Sequence, residues 1–389
     1  MKITGVKAVA AVGVAASLAA LPMTALAKTP PERGTLVSAE PVGSVEAKDM
    51  PDYLGKSGMA SPLATRAVDG FRITYRTVDA HREPATATAL VAVPREPRRL
   101  LSAVTWLHGT QVYRGEQPSV RPDGADRRIS YLFASAGHLA VAPDYLGLGK
   151  GSGYHPYMHH ASLVTASADA VRAARAMMAR RGVVVDRRLL VTGFSQGGSG
   201  AMALGHALQE GREPGLGVRA IAAVSGPYDL SWAVAEAVAG RVNNAVPYLG
   251  FAVTSWQRLY HLYDDPAKVF RKPELAPLFD GHTPSQELFP RLPQKVEDFF
   301  TPEFRERLAN PEPALRALFA KESTSCQWRP RVPVKLFAST SDADVAFRHS
   351  ETCAEQSGAP VTDLGEVAHN TTARLAAVQT VADFARFSR

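Results

Sequence analysis

The run Leu189-Leu190-Val191-Thr192-Gly193-Phe194-Ser195-Gln196-Gly197-Gly198 constrains the fold of this chain more than any other. Its apolar and β-branched start reads as a buried strand. Gly193 to Gly197 then fits G-x-S-x-G, a sharp strand-to-helix turn with serine at its tip. The spacing has a steric reason. Glycines two positions either side of Ser195 let the strand and the following helix pass closely. The predicted helix Gly197 to Leu208 follows at once. Its N-terminus presents the Gln196 N–H to any negative charge that develops beside Ser195. Ser195 is therefore a candidate nucleophile.

The rest of the chain fits a layered α/β fold. Phe71 to Val78 and Thr86 to Val93, separated by a polar segment, predict an antiparallel hairpin. Short apolar strands then alternate with helical patterns. The strands are Ala103 to Leu107, His138 to Ala142, Leu189 to Thr192, Ala220 to Val224, Val334 to Ala338 and Val361 to Val367. The helices are Ala161 to Arg180, Gly197 to Leu208 and Thr371 to Phe387. Such alternation predicts a mainly parallel central sheet flanked by helices. Between residues 229 and 329 the rhythm breaks. Proline-punctuated helical pieces rich in aromatics occupy that stretch, which reads as a helical cap or lid inserted before a late strand. Residues 28–69 read as an irregular arm, with the core in 70–228 and 330–389.

Residues 1–27 read as a signal peptide. Lys2 and Lys7 precede the apolar stretch Ala8 to Leu21, and Ala25-Leu26-Ala27 fits a cleavage site. The formal charge is +7, to which Lys2 and Lys7 contribute two. The remaining basic residues are scattered without an aromatic-interleaved stripe, which argues against nucleic-acid binding. An exported chain meets an oxidising compartment, so its two cysteines, Cys326 and Cys353, are expected to pair. The alternative is two buried thiols.

A nucleophilic serine needs a base and an orienting acid. Asp342 lies in the loop that leaves the strand Val334 to Ala338, and Asp344 competes with it two residues on. His369 lies between the last predicted strand and the last helix, where such a histidine belongs. His108-Gly109-Thr110 follows an early strand. The Thr110 N–H there is the candidate second oxyanion donor, though the segment also reads as a plain tight turn. His155 and His159 are four apart, but Pro156 and the lack of a third ligand argue against metal. They read instead as a loop near the site mouth. Asp144 reads as a turn organiser.

At these residues the chain resembles the secretory lipase family of α/β-hydrolases, the lipase A type. The matching segments are His108 to Thr110, Pro143 to Gly149 with His155-Pro156-Tyr157, and Gly193 to Gly197. The order of cap, Asp342 loop and His369 loop also agrees. In similar hydrolases the acid loop often begins with Gly where Ser339 stands here, and carries Pro where Ala346 stands. The resemblance implies an α/β-hydrolase fold and hydrolysis of small-molecule or lipid esters by Ser195, His369 and Asp342. It implies no cofactor, no obligate protein partner and at most a transient contact with a lipid interface. A peptidase or amidase on the same fold, or a non-catalytic binding protein, are the alternatives.

Overall fold

The computed structural model describes residues 1–2 and 32–387. The expected signal peptide therefore lies almost wholly outside the described residues. The main sheet has nine strands. In chain order they are β1 Leu36–Val45, β2 Val68–Val78, β3 Pro84–Pro94, β4 Ala103–Leu107, β5 Leu139–Pro143, β6 Arg188–Phe194, β7 Gly217–Val224, β8 Val334–Ala338 and β9 Val361–Asp363. Their spatial order is β1-β2-β3-β5-β4-β6-β7-β8-β9. Pairings among β1, β2, β3 and β5 are antiparallel, and from β5 through β4 to β9 they are parallel. The expected hairpin is β2–β3, registered from Val68↔Pro94 to Val78↔Pro84.

Each central strand is apolar on both faces because helices cover both. In β4, Ala103 and Leu107 join one core cluster while Val104 and Trp106 join the other. The first cluster contains Leu163 and Met178 of the helix His160–Ala179 and Met202 of the helix Gln196–Gln209. The second contains Phe133 of the helix Ala125–Ser135 and Val381 of the helix His369–Ala385. A third cluster lies between β7 and β8, where helices Leu230–Val238, Ala245–Tyr260, Pro302–Ala309 and Pro313–Glu322 pack around Trp256, Phe270 and Phe299. Among the described residues the only pairing in that insertion is an isolated bridge, Phe270↔Phe300. Cys326, where the insertion returns to the sheet, forms a disulfide with Cys353 of the helix Arg348–Ser357.

Three expectations are corrected. The segment before residue 70 is not simply irregular, since it contains β1 and a short helix, Met50–Gly55. The strand escaped notice because Pro41 and Gly43 interrupt its alternation. The register shift between Pro41 and Gly43 absorbs them, and an edge strand tolerates proline's missing N–H. The last strand ends at Asp363 rather than Val367, because Gly365 turns the chain at φ 82°. The final helix begins at His369 itself, two residues early. Among the described residues no helix is long and apolar enough to cross a membrane.

Candidate active site

Ser195 sits between β6 and the helix Gln196–Gln209, with φ 56° and ψ −119°. A positive φ on a residue with a side chain is strained, by about 1–3 kcal/mol. The surroundings enforce it. The Ser195 N–H donates to the Val224 carbonyl at 2.9 Å, and its carbonyl accepts from Gly198 at 2.8 Å. The flanking glycines are needed for space. A Cβ at Gly197 would run into the Leu107 carbonyl and come within 2.7 Å of the His108 oxygen. A Cβ at Gly193 would lie 2.7 Å from the Gly197 carbonyl carbon and from Leu107 Cβ.

His369 opens its helix against the Phe194 ring, centroid to centroid 4.6 Å. Its Nε2 is 3.0 Å from Ser195 Oγ and its Nδ1 is 2.7 Å from Asp342 Oδ2. The other oxygen of Asp342 accepts the backbone N–H groups of Asp344 at 3.0 Å and Val345 at 2.9 Å. Those two bonds hold the carboxylate so that Oδ2 faces the imidazole. Asp344 turns the other way and accepts from the Tyr248 hydroxyl at 3.1 Å and from Asn244. Of the two candidate acids, Asp342 is the one brought to His369. All three of Ser195, His369 and Asp342 are buried.

The two candidate oxyanion residues flank the serine. Gln196 begins the helix, so its N–H has no intrahelical acceptor. Thr110 lies in the loop after β4, which runs against the serine: a Cβ at Gly109 would lie 3.4 Å from Ser195 Cβ. One short segment touches both residues. The Gln196 side-chain amide donates to His155 Nε2 at 2.8 Å, and the Tyr157 hydroxyl lies 2.8 Å from Thr110 Oγ1. His155 Nδ1 faces the Leu146 carbonyl at 3.1 Å, so the proton is assigned to Nδ1. Burial, with His108 nearby, lowers the His155 pKa to about 3 and keeps the ring neutral. His159 Nδ1 lies 2.6 Å from Ser162 Oγ. The sequence marked His155-Pro156-Tyr157 as a loop near the site but gave no sign of these partners. Asp144 is an organiser, buried among Thr88 at 2.6 Å and the N–H and hydroxyl of Ser119. Its burial pushes the carboxyl pKa up.

No protein-family model and no curated protein sequence matches the chain. Solved structures do. The esterase LipA from Xanthomonas oryzae, a rice cell wall degrading enzyme, is 26% identical over 92% of this chain and 100% of its own, with TM-score 0.82. A protein from Legionella pneumophila reaches the same TM-score at 22% identity, over 91% of this chain and 98% of its own. Candida antarctica lipase A shares 14% identity over 87% of this chain and 78% of its own, with TM-score 0.60. This chain is an α/β-hydrolase of the lipase and esterase type, a carboxylic-ester hydrolase.

In this hydrolase a pocket open to solvent reaches Ser195. Its lining mixes polar groups, Thr110, Tyr157, Asp342, Glu236, Arg241 and His349 among them, with the apolar Met158, Leu230, Val234, Ala237, Leu249 and Trp256. All six apolar residues belong to the cluster between β7 and β8 or pack into it. A second, polar groove shares Thr110 and Tyr248 with this cavity.

Proposed function

We propose that this hydrolase cleaves carboxylic esters through an acyl-enzyme on Ser195, with His369 as general base and Asp342 as the acid that orients it. The continuous hydrogen-bonded path from Asp342 Oδ2 through His369 to Ser195 Oγ, at 2.7 and 3.0 Å, carries the reading. His369 takes the serine proton as Oγ attacks the ester carbonyl. Asp342 holds the Nδ1 proton, so Nε2 is the basic nitrogen, and stabilises the imidazolium that forms. The backbone N–H groups of Gln196 and Thr110 receive the oxyanion. Water then releases the acid by the same steps in reverse, and the chemistry calls for no cofactor.

The pocket beside Ser195 is the seat of the acyl chain, and the helical insertion 229–329 is the cap that supplies its wall. The chain works outside the cytoplasm after cleavage near Ala27, an assignment supported by the leader-like sequence and by the Cys326–Cys353 disulfide. The test is labelling with a fluorophosphonate. Wild-type protein should be labelled at Ser195 in step with loss of nitrophenyl-ester turnover, and Ser195→Ala should do neither. Turnover retained by Ser195→Ala in a clean preparation would refute the assignment.

A further inference from the structure

The pocket beside Ser195 contains a buried donor that no protein group uses. Most polar side chains in its lining are paired within the protein. Tyr157 pairs with Thr110, Tyr248 donates to Asp344, and Asp342 holds His369. Glu236 takes the Arg241 guanidinium on both oxygens, at 2.8 and 2.6 Å. His349 differs. It belongs to the helix Arg348–Ser357, lines the same pocket and is 4% exposed. Its Nδ1 accepts the Asp229 N–H at 3.4 Å. A ring nitrogen that accepts carries no proton, so in the neutral imidazole the proton is assigned to Nε2. Among the described residues no hydrogen bond reaches that Nε2–H.

The ring is neutral and held in place. Burial lowers its pKa to about 4, against the partial pull of Asp229, Glu236 and Asp342. Trp232 lies edge to face with it, 4.5 Å between centroids, on the helix Leu230–Val238. Asp229 caps that helix, its side chain accepting the Trp232 N–H at 3.1 Å. Asp229 and Trp232 thus fix the imidazole before substrate arrives. A buried N–H without an acceptor costs the free protein stability, and a ligand that brings an acceptor removes the cost.

The surrounding charges select the kind of acceptor. Glu236, Asp342 and Asp344 line the pocket against a single guanidinium, Arg241, which Glu236 already pairs. An anionic group would meet Asp342 and Asp344 with no unpaired cation among the described residues of the lining. A neutral ether, hydroxyl or keto oxygen meets no such repulsion.

We propose that His349 is a specificity-determining residue whose Nε2–H receives a neutral acceptor oxygen on the acyl chain. The enzyme then prefers esters of oxygen-bearing acids to plain alkanoates of equal length. The proposal rests on the reading of Ser195 as the nucleophile whose acyl group this pocket seats. An alkanoate leaves the donor buried and unpaired, and exchange of one methylene for oxygen pairs it. No bond forms or breaks at His349, and the serine proton still passes to His369.

The test sets nitrophenyl alkanoates against ethers of equal length in which one methylene, taken stepwise along the acyl chain, is replaced by oxygen. Each kcat/KM is divided by the rate of hydroxide hydrolysis of the same ester, which removes the intrinsic reactivity of the ether. At one oxygen position wild type should favour the ether roughly 10-fold. His349→Phe removes both ring nitrogens, and the preference should vanish. His349→Asn keeps an acceptor for the Asp229 N–H but is too short to offer a donor at the Nε2 position, so the preference should vanish there too. No preference at any position in wild type, or one that survives in both variants, would overturn the proposal. So would equal losses on ether and alkanoate, which mark a purely structural role. If neither variant folds, the wild-type series decides alone. Ser195→Ala separates the two readings. An active Ser195→Ala removes the nucleophile and this proposal with it, whereas an inert one beside a wild type without ether preference removes only the role of His349.

Discussion

The Ser339 hydroxyl lies 2.7 Å from the Val367 carbonyl oxygen and accepts the Val367 N–H at 3.1 Å. The Gly365 carbonyl is also 2.7 Å from it. One buried side chain thus ties the loop that carries Asp342 to the loop that carries His369. Glycine, common at this position in similar hydrolases, could not make that tie. Ser339→Ala would remove the tie while leaving the Val367 N–H its 3.0 Å bond to the Gly365 carbonyl, at about 0.5–1.5 kcal/mol in stability. It should also lower kcat several-fold while KM stays put, since the two loops would no longer be held in register. Denaturant melts and steady-state kinetics check both. An unchanged midpoint and kcat would show that the tie is idle.

Asp342 and Asp344 are two residues apart but serve different neighbours. Asp342→Asn should depress kcat by roughly 10⁴-fold, because the amide would favour the wrong imidazole tautomer. Asp344→Asn keeps an oxygen that can accept from Tyr248 and Asn244 and loses only the charge. Its kcat should stay within about ten-fold of wild type, the cost of one hydrogen-bonded charge. Reversal of that order in parallel assays would reassign the acid.

The strained backbone at Ser195 has a measurable consequence. Glycine accepts φ 56°, ψ −119° without penalty and alanine does not. Ser195→Gly and Ser195→Ala should both be inert toward esters. Ser195→Gly should nonetheless be the more stable of the two, by up to about 1–3 kcal/mol less glycine's unfolded-state entropy. Thermal melts of the two variants decide it. Equal or reversed midpoints would mean the strain is relieved elsewhere.

Three buried histidines set the acid limb of stability. Burial lowers the pKa of His155 to about 3 and those of His138 and His349 to about 4. For His349 the nearby carboxylates of Asp229, Glu236 and Asp342 oppose that fall only in part. In the unfolded chain each titrates near about 6.5. Their folded values are depressed, so the unfolded state binds more protons between about pH 6.5 and 4, and stability is lost as pH falls through that window. Each histidine contributes a slope of at most about 1.4 kcal/mol per pH unit. Asp144 works in the opposite sense. Its pKa is raised by burial, so it favours the fold as pH drops toward its unfolded value. Urea melts at pH 7.5, 6 and 5 should show a falling midpoint, and a flat one would contradict the neutral histidines.

The sequence alone determined the strand–serine–helix turn at Ser195, the alternation of strands and helices, and the chain order serine, acid, histidine. These features are local: glycine spacing, hydrophobic period and turn chemistry act within a few residues, so a linear reading reaches them. It also singled out Cys326 and Cys353, His369 and the two carboxylates of the acid loop. Only the tertiary structure decided which carboxylate meets His369. That choice depends on two backbone N–H groups turning Asp342 inward and on Tyr248, from a helix nearly 100 residues away in sequence, turning Asp344 outward. β1 stayed hidden because most of an edge strand's side chains face solvent and its bulges erase the period. The grip of His155 and Tyr157 on Gln196 and Thr110 was equally invisible. Contacts between loops depend on how strands are ordered in the sheet and how the cap helix lies over them, and no short window of sequence holds that information.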